Sequence, residues 1–203
     1  MAINQASCFE PHQLESLLAW LNRRNTVDPS LEAKVRDIIQ SVAESGDEAL
    51  VDYTSRFDCP DFSAEMIPVS RDRINGAAEV IEARDRNAIT RAMENIYAFH
   101  RQQRRTSWLD SGQQGLITGQ IHRPIPSAGL YIPGGSSGET PLVSSLLMNA
   151  IPAQVAGVER ICLVTPPGTD GGINPYTLAA ADLLGLQEMY AVGGPWAVAG
   201  LAL

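Results

Sequence analysis

Through the first hundred residues, apolar side chains recur at intervals of three and four with polar and charged residues between them. That spacing places them on one face of an α-helix and predicts a succession of amphipathic helices. Residues 11–24 read as the first, with Leu14, Leu17, Leu18 and Leu21 on the apolar face and Arg23-Arg24 closing the last turn. Asp28 followed by Pro29 supplies a cap and a first-turn proline for a second helix. Leu31, Val35, Ile38, Ile39 and Val42 line its inner face, and Gly46 is its natural stop. A third helix starts at Asp47-Glu48, buries Leu50, Val51, Thr54 and Phe57, and ends before Cys59-Pro60. Residues 60–69 are irregular apart from a short strand at Met66-Ile67-Pro68-Val69. Ser70 is placed to cap a short helix reaching about Ile81, and the longest helix covers roughly 84–105, with Ile89, Ala92, Met93, Ile96 and His100 in helical register.

After Asp110-Ser111-Gly112 the period changes. Residues 116–123, LITGQIHR, alternate as an extended strand does. From Gly129 onward, strand and helix take turns: strand 129–132, helix 141–156, the β-branched run RICLVT at 160–165, a helix opened by Asn174-Pro175 and ended by Gly185, strand 188–192, then Gly193-Gly194 and a helix of small residues. Repeated βα units imply a parallel sheet with right-handed crossovers, so the fold class is α/β, a helical N-terminal half followed by a parallel sheet. Ligands of such sheets sit beyond the carboxyl ends of the strands, where the loops 133–140, 166–173 and 193–196 are expected to converge. Leu201-Ala202-Leu203 falls inside the last helical pattern without a cap or polar tail, which reads as an interrupted domain.

Charge narrows the partners. The 203 residues hold 15 Lys+Arg against 23 Asp+Glu, a net charge of −8, which argues against nucleic acid because a polyanion needs a basic face. The cluster His100 to Arg105 suits a solvated helix end, where cations complement the dipole. Cys8, Cys59 and Cys162 are odd in number and widely spaced, which fits a reducing compartment better than a disulfide framework. No charged start leads into a long apolar run, and no apolar run is long enough to span a bilayer, so neither a secretory leader nor a membrane partner is expected and the location reads as cytoplasmic.

Candidate chemistry centres on Gly129–Gly157. A short strand breaks at Pro133-Gly134-Gly135, passes Ser136, Ser137 and Thr140, and becomes helical near Pro141, with Ser144 and Ser145 following. Strand, glycine turn and helix N-terminus together present backbone N–H groups to an anion. The words GxGxxG and GxxxxGK[ST] are absent, so a tight βα turn with solvated hydroxyls is the plainer reading. Glu139 within the loop would repel phosphate and reads as exposed or as a helix N-terminal charge. His12, His100 and His122 lie in no active-site motif, and HxxH, HExxH and CxxC are all absent. A binding crevice is legible; catalytic residues and metal ligands are not.

The segments RPIPSAGLYIPGG (123–135), SSLLMNAIPAQVAGV (144–158), VTPPG (164–168), INPYTLAAADLLG (173–185) and EMYAVGGPWAVAGLAL (188–203) resemble histidinol dehydrogenases. SGDEALVDYTSRFD (45–58) matches more loosely. The resemblance implies residues 1–123 as a mostly helical region ending in an extended strand and 124–203 as an incomplete Rossmann-like domain on the cofactor side. It implies an NAD-dependent, zinc-dependent enzyme of histidine biosynthesis that oxidises L-histidinol to L-histidine through the aldehyde, acting as a homodimer. The zinc ligands and the Glu–His acid–base pair of the family lie in its later half, and nothing here corresponds to them, so the isolated chain is expected to be catalytically incomplete. Tyr131 matches the tyrosine of the family's LYxPGG word, which contacts NAD. Trp196 stands where the family's GGAQA word has its NAD-contacting glutamine; an indole could stack on a cofactor ring but cannot copy the amide. The loop 136–143 is a few residues longer than the family's usual form. Two alternatives stay open: a relative acting on another small alcohol, and a non-catalytic truncated paralogue.

Overall fold

A computed structural model describes residues 10, 13–23, 28–134 and 142–203. His12, Cys8 and the loop 135–141, with Gly135, Ser136, Ser137, Glu139 and Thr140, lie outside the described residues. The chain divides into two compact units, residues 1–37 and 38–203.

In the first unit, helix α1 (Leu14–Arg23) leaves Leu14, Leu18 and Leu21 exposed. Asp28 opens helix α2 (Pro29–Ser45) as expected: its Oδ1 accepts the Ser30 N–H at 2.9 Å. That backbone hydrogen bond, the main cause, holds the Asp28 carboxyl below the usual carboxylate range.

The second unit carries the core and the sheet. Helix α3 (Asp47–Phe57) buries Ala49, Leu50 and Thr54, but Phe57, expected inside, is 63% exposed. The strand expected at 66–69 is reduced to one antiparallel bridge, Pro68 to Tyr190, after a single turn of 3-10 helix at Ala64–Met66. Proline has no N–H for a ladder, so the bonds flank it: Val69 N–H donates to Met189 O and Ala191 N–H to Ile67 O. The helix expected from Ser70 to Ile81 is two helices, α4 (Arg71–Ile74) and α5 (Ala77–Val80), and Ser70 makes no side-chain cap bond. The longest helix, α6 (Ala83–Arg101), ends four residues earlier than its pattern suggests. Ile89 is buried on its inner stripe, and His100 Nδ1 pairs with Gln103 Oε1 at 2.8 Å in the last turn.

Strands β1 (Trp108–Gln113) and β2 (Leu116–Gln120) form an antiparallel hairpin. Only the second was legible in the sequence, because Asp110-Ser111-Gly112 looks like a turn. Strands β3 (Ser127–Tyr131), β4 (Arg160–Val164) and β5 (Glu188–Tyr190) form a parallel sheet in that spatial order. Helices α7 (Val143–Ala156) and α8 (Pro175–Leu183) are the crossovers, and α9 (Gly194–Ala202) follows β5. Asn174 caps α8, accepting the Tyr176 N–H at 2.9 Å ahead of Pro175. Leu163 lies in register with Leu130 and Met189 on one face of the sheet, and all three join the core with Leu146, Leu147, Ile151 and Ala179 to Ala181. Among the described residues no helix is long and apolar enough to cross a membrane.

Candidate functional site

The sheet ends in a line. Tyr131 is in register with Val164, and Val164 with Tyr190. One further ladder bond on each side, Ile132 N–H to Val164 O at 2.9 Å and Thr165 N–H to Tyr190 O at 3.2 Å, keeps the strands together to their carboxyl ends. Directly beyond stand three turns. A Cβ placed on Gly134 would lie 2.7 Å from Pro166 Cγ, and one on Gly193 would lie 2.5 Å from Pro166 Cβ. The Pro166 ring therefore occupies the space between two glycine turns, so that the described starts of the three loops, at Gly134, Pro166 and Gly193, meet as the sequence implied. The loop after Pro166 closes on itself: Gly168 N–H donates to Gly172 O at 2.7 Å, and Gly172 N–H to Asp170 Oδ1 at 2.9 Å.

Through α7 and α8 the strands step from β3 to β4 to β5. Helix α9 then turns back across the other face: a Cβ on Gly129 of β3 would meet Leu201 Cδ1 at 2.8 Å. The two faces of the sheet are thus covered by different helices, and open α/β sheets bind ligands beyond the carboxyl ends of their strands. Tyr131 is the last residue of β3 and is 36% exposed, while its neighbours Leu130 and Ile132 are buried.

Trp196 is placed differently. It lies on the first turn of α9 and is 6% exposed. Its indole is nearly parallel to the Tyr53 ring (5.4 Å, 17°) and the Phe57 ring (5.3 Å, 24°), both on α3. Its Nε1–H donates to Thr54 Oγ1 at 3.2 Å, and Thr54 is fully buried. The ring also covers the turn before it, since a Cβ on Gly194 would come 2.5 Å from Trp196 Cη2. The stacking that the sequence suggested for this indole is thus made with protein rings.

The face of the sheet beneath α9 holds a cavity of about 310 Å³, lined among others by Asp47, Cys162, Glu188, Tyr190 and Leu201. Here a charged group escaped the sequence reading. Arg160 Nε donates to Glu188 Oε2 at 2.9 Å and Nη2 to Oε1 at 2.5 Å, and Tyr190 OH donates to Glu188 Oε1 at 3.1 Å. The only available signal was an arginine opening one apolar strand and a glutamate opening the next. The Arg160 hydrogen bond, the largest cause, holds the Glu188 carboxyl below its ordinary range, while burial pushes the Cys162 thiol up to about 11 and leaves it a poor nucleophile. Because the folded carboxyl ionises more readily than the unfolded one, the pair stabilises above the ordinary carboxylate value of 4.5 and is lost as pH falls through the lower folded value. Arg160 is largely exposed, so Arg160→Met should lower stability only slightly near neutrality. In urea titrations the gap between wild type and variant should close as the solution is acidified below 4.5; a gap that stays constant would assign it to packing.

Of the remaining sequence candidates, His122 lies before the amino end of β3, its backbone N–H held by Ser107 Oγ at 2.9 Å. Ser144 and Ser145 fall in the first turn of α7. Among the described residues no group of three or more His, Cys, Asp or Glu is placed to hold a metal ion. The donor set zinc requires is not assembled there, and no step is drawn through it.

Comparison with known proteins agrees on one family. The family model described as histidinol dehydrogenase matches residues 21–203. Histidinol dehydrogenase of Oleidesulfovibrio alaskensis is 51% identical over 179 residues, 88% of this chain and 41% of the relative. That of Desulfotalea psychrophila is 45% identical, covering 93% of this chain and 43% of the relative. The crystal structure of histidinol dehydrogenase from Elizabethkingia anophelis superposes with a TM-score of 0.76 at 35% identity, over 86% of this chain and 39% of that one. The chain thus spans about two fifths of the length of these relatives.

Proposed function

We propose a function from one premise: this chain belongs to the histidinol dehydrogenase family. We infer that residues 124–203 supply the cofactor-facing half of an oxidoreductase that converts L-histidinol to L-histidine with NAD, and that the helical residues 1–123 support it. When bound, NAD supplies the hydride acceptor for both oxidation steps. The observation that carries this reading is the corner where Gly134, Pro166 and Gly193 close on one another at the strand ends, with Tyr131 exposed at the end of β3 beside it. The missing Cβ atoms let the turns close up on the Pro166 ring, and the aromatic ring of Tyr131 beside them offers a stacking surface. Tyr131 is the cofactor-contacting side chain. Trp196, with its ring packed on α3 and its N–H already donated, serves the site through the turn it holds.

The zinc site and the acid–base pair belong to the part of the relatives' length that these 203 residues do not match, in the setting of a cytoplasmic homodimer. The chain alone should therefore bind NAD and leave histidinol unoxidised. Calorimetric titration of NAD tests this. Tyr131→Ala should weaken binding by about 1 kcal/mol or more, roughly fivefold. Equal affinity would return Tyr131 to a structural role, and a wild-type chain that takes up no NAD would sink the cofactor reading.

A further inference from the structure

Helix α9 begins without a side-chain cap on Gly193, and Gly194 behind it has a positive φ of 63°. The turn stands at the carboxyl ends of the strands, against Pro166. What holds it comes from 142 residues away in the chain. The Trp196 indole covers Gly194 and stacks along Tyr53 and Phe57. Its single donor ends on Thr54 Oγ1, and both groups are buried. The opposite side of the turn meets Pro166 through Gly193.

We propose that Trp196 is a positioning residue: its indole, bonded to Thr54, latches the 193–197 turn to α3 and so fixes the backbone wall against which a dinucleotide phosphate or ribose would rest. This rests on the cofactor reading above for its ligand, but the latch itself does not. The physical basis is preorganisation. A turn already held in its binding shape loses less freedom when the ligand arrives, so ligand affinity tracks how firmly the turn is held. Neither Trp196 nor Thr54 touches the ligand in this scheme. The indole needs its acceptor because a buried N–H without one is driven to find water, and water can reach it only if the turn moves away from α3.

Three variants of the 203-residue chain test this by hydrogen exchange and NAD titration together. Thr54→Val keeps the shape and removes the acceptor; Thr54→Ser keeps the acceptor; Trp196→Phe keeps an aromatic ring and removes the donor. Thr54→Val and Trp196→Phe should raise amide exchange across residues 193–197 by about tenfold or more, with 160–164 of β4 unchanged, and Thr54→Ser should restore the wild-type rate. NAD affinity should fall by about threefold or more in the first two variants and recover in the serine variant. Unchanged exchange at the turn, or a uniform rise across the unit, overturns the latch. A loosened turn with wild-type NAD affinity overturns the positioning role while sparing the cofactor reading. If the wild-type chain takes up no NAD, the cofactor reading fails and the positioning role falls with it, whereas the exchange pattern still reports on the latch.

Discussion

Gly194→Ala should be among the most damaging single substitutions in the second unit, at about 2–5 kcal/mol, from left-handed backbone strain and overpacking together. Gly194 stands at φ 63°, where an L side chain is disfavoured by about 1–2 kcal/mol. The added methyl would also meet the Trp196 ring at 2.5 Å, well inside contact distance. The ring has nowhere cheap to go, because it is packed along Tyr53 and Phe57 and bonded to Thr54. Relief requires the turn to open or the indole to leave α3, and either change undoes the packing of the turn on α3. Urea denaturation should show a large fall in midpoint with the slope preserved. Gly185→Ala makes a useful control: it also has a positive φ, of 69°, but nothing lies within 4 Å of its Cβ. It should lose only the backbone contribution, about 1–2 kcal/mol. Equal losses at the two positions would mean that the Trp196 contact adds nothing.

That experiment also marks the limit of what residue patterns could reveal. Asn174-Pro175 and Asp28-Pro29 were readable because a cap and a first-turn proline act locally, and both caps are found where expected. The βα alternation was readable because a buried parallel strand is a short apolar run whatever surrounds it. The hairpin was half hidden because Asp110-Ser111-Gly112 has the composition of a turn, and the ladder is irregular there, between the Asp110–Thr118 and Gln113–Leu116 pairs. Phe57 follows the helical spacing of Leu50 and Thr54, yet it sits at the last turn of α3, past most of the core, and stays exposed while stacking on Trp196. For the site, the glycines and prolines pointed correctly to convergent loops. The inward direction of Trp196 could not be read, because a GGPW word is silent about which helix packs beside it.

The turns at the strand ends depend on a rigid sheet, so Leu163→Ala should cost about 3–5 kcal/mol, the range for a buried leucine whose cavity the surroundings cannot fill. Leu163 is the middle residue across the central strand, in register with Leu130 on one side and Met189 on the other, and it is fully buried. The helix residues that share its core include Leu146, Leu147 and Ile151 and the small Ala179 to Ala181, all essentially inaccessible. Alanines have no longer rotamer to swing into a void, and the strand backbone is tied on both sides by ladder bonds, so collapse onto the missing atoms is poor. Thermal and urea unfolding should both register the loss. Leu109→Ala in the hairpin removes the same atoms from a side chain that is 74% exposed and should change stability by under about 0.5 kcal/mol. Similar losses for the two leucines would mean that the face bearing Leu163 does not support the sheet. Placing Pro166, Gly134 and Gly193 at the strand ends would then need a different mechanical explanation.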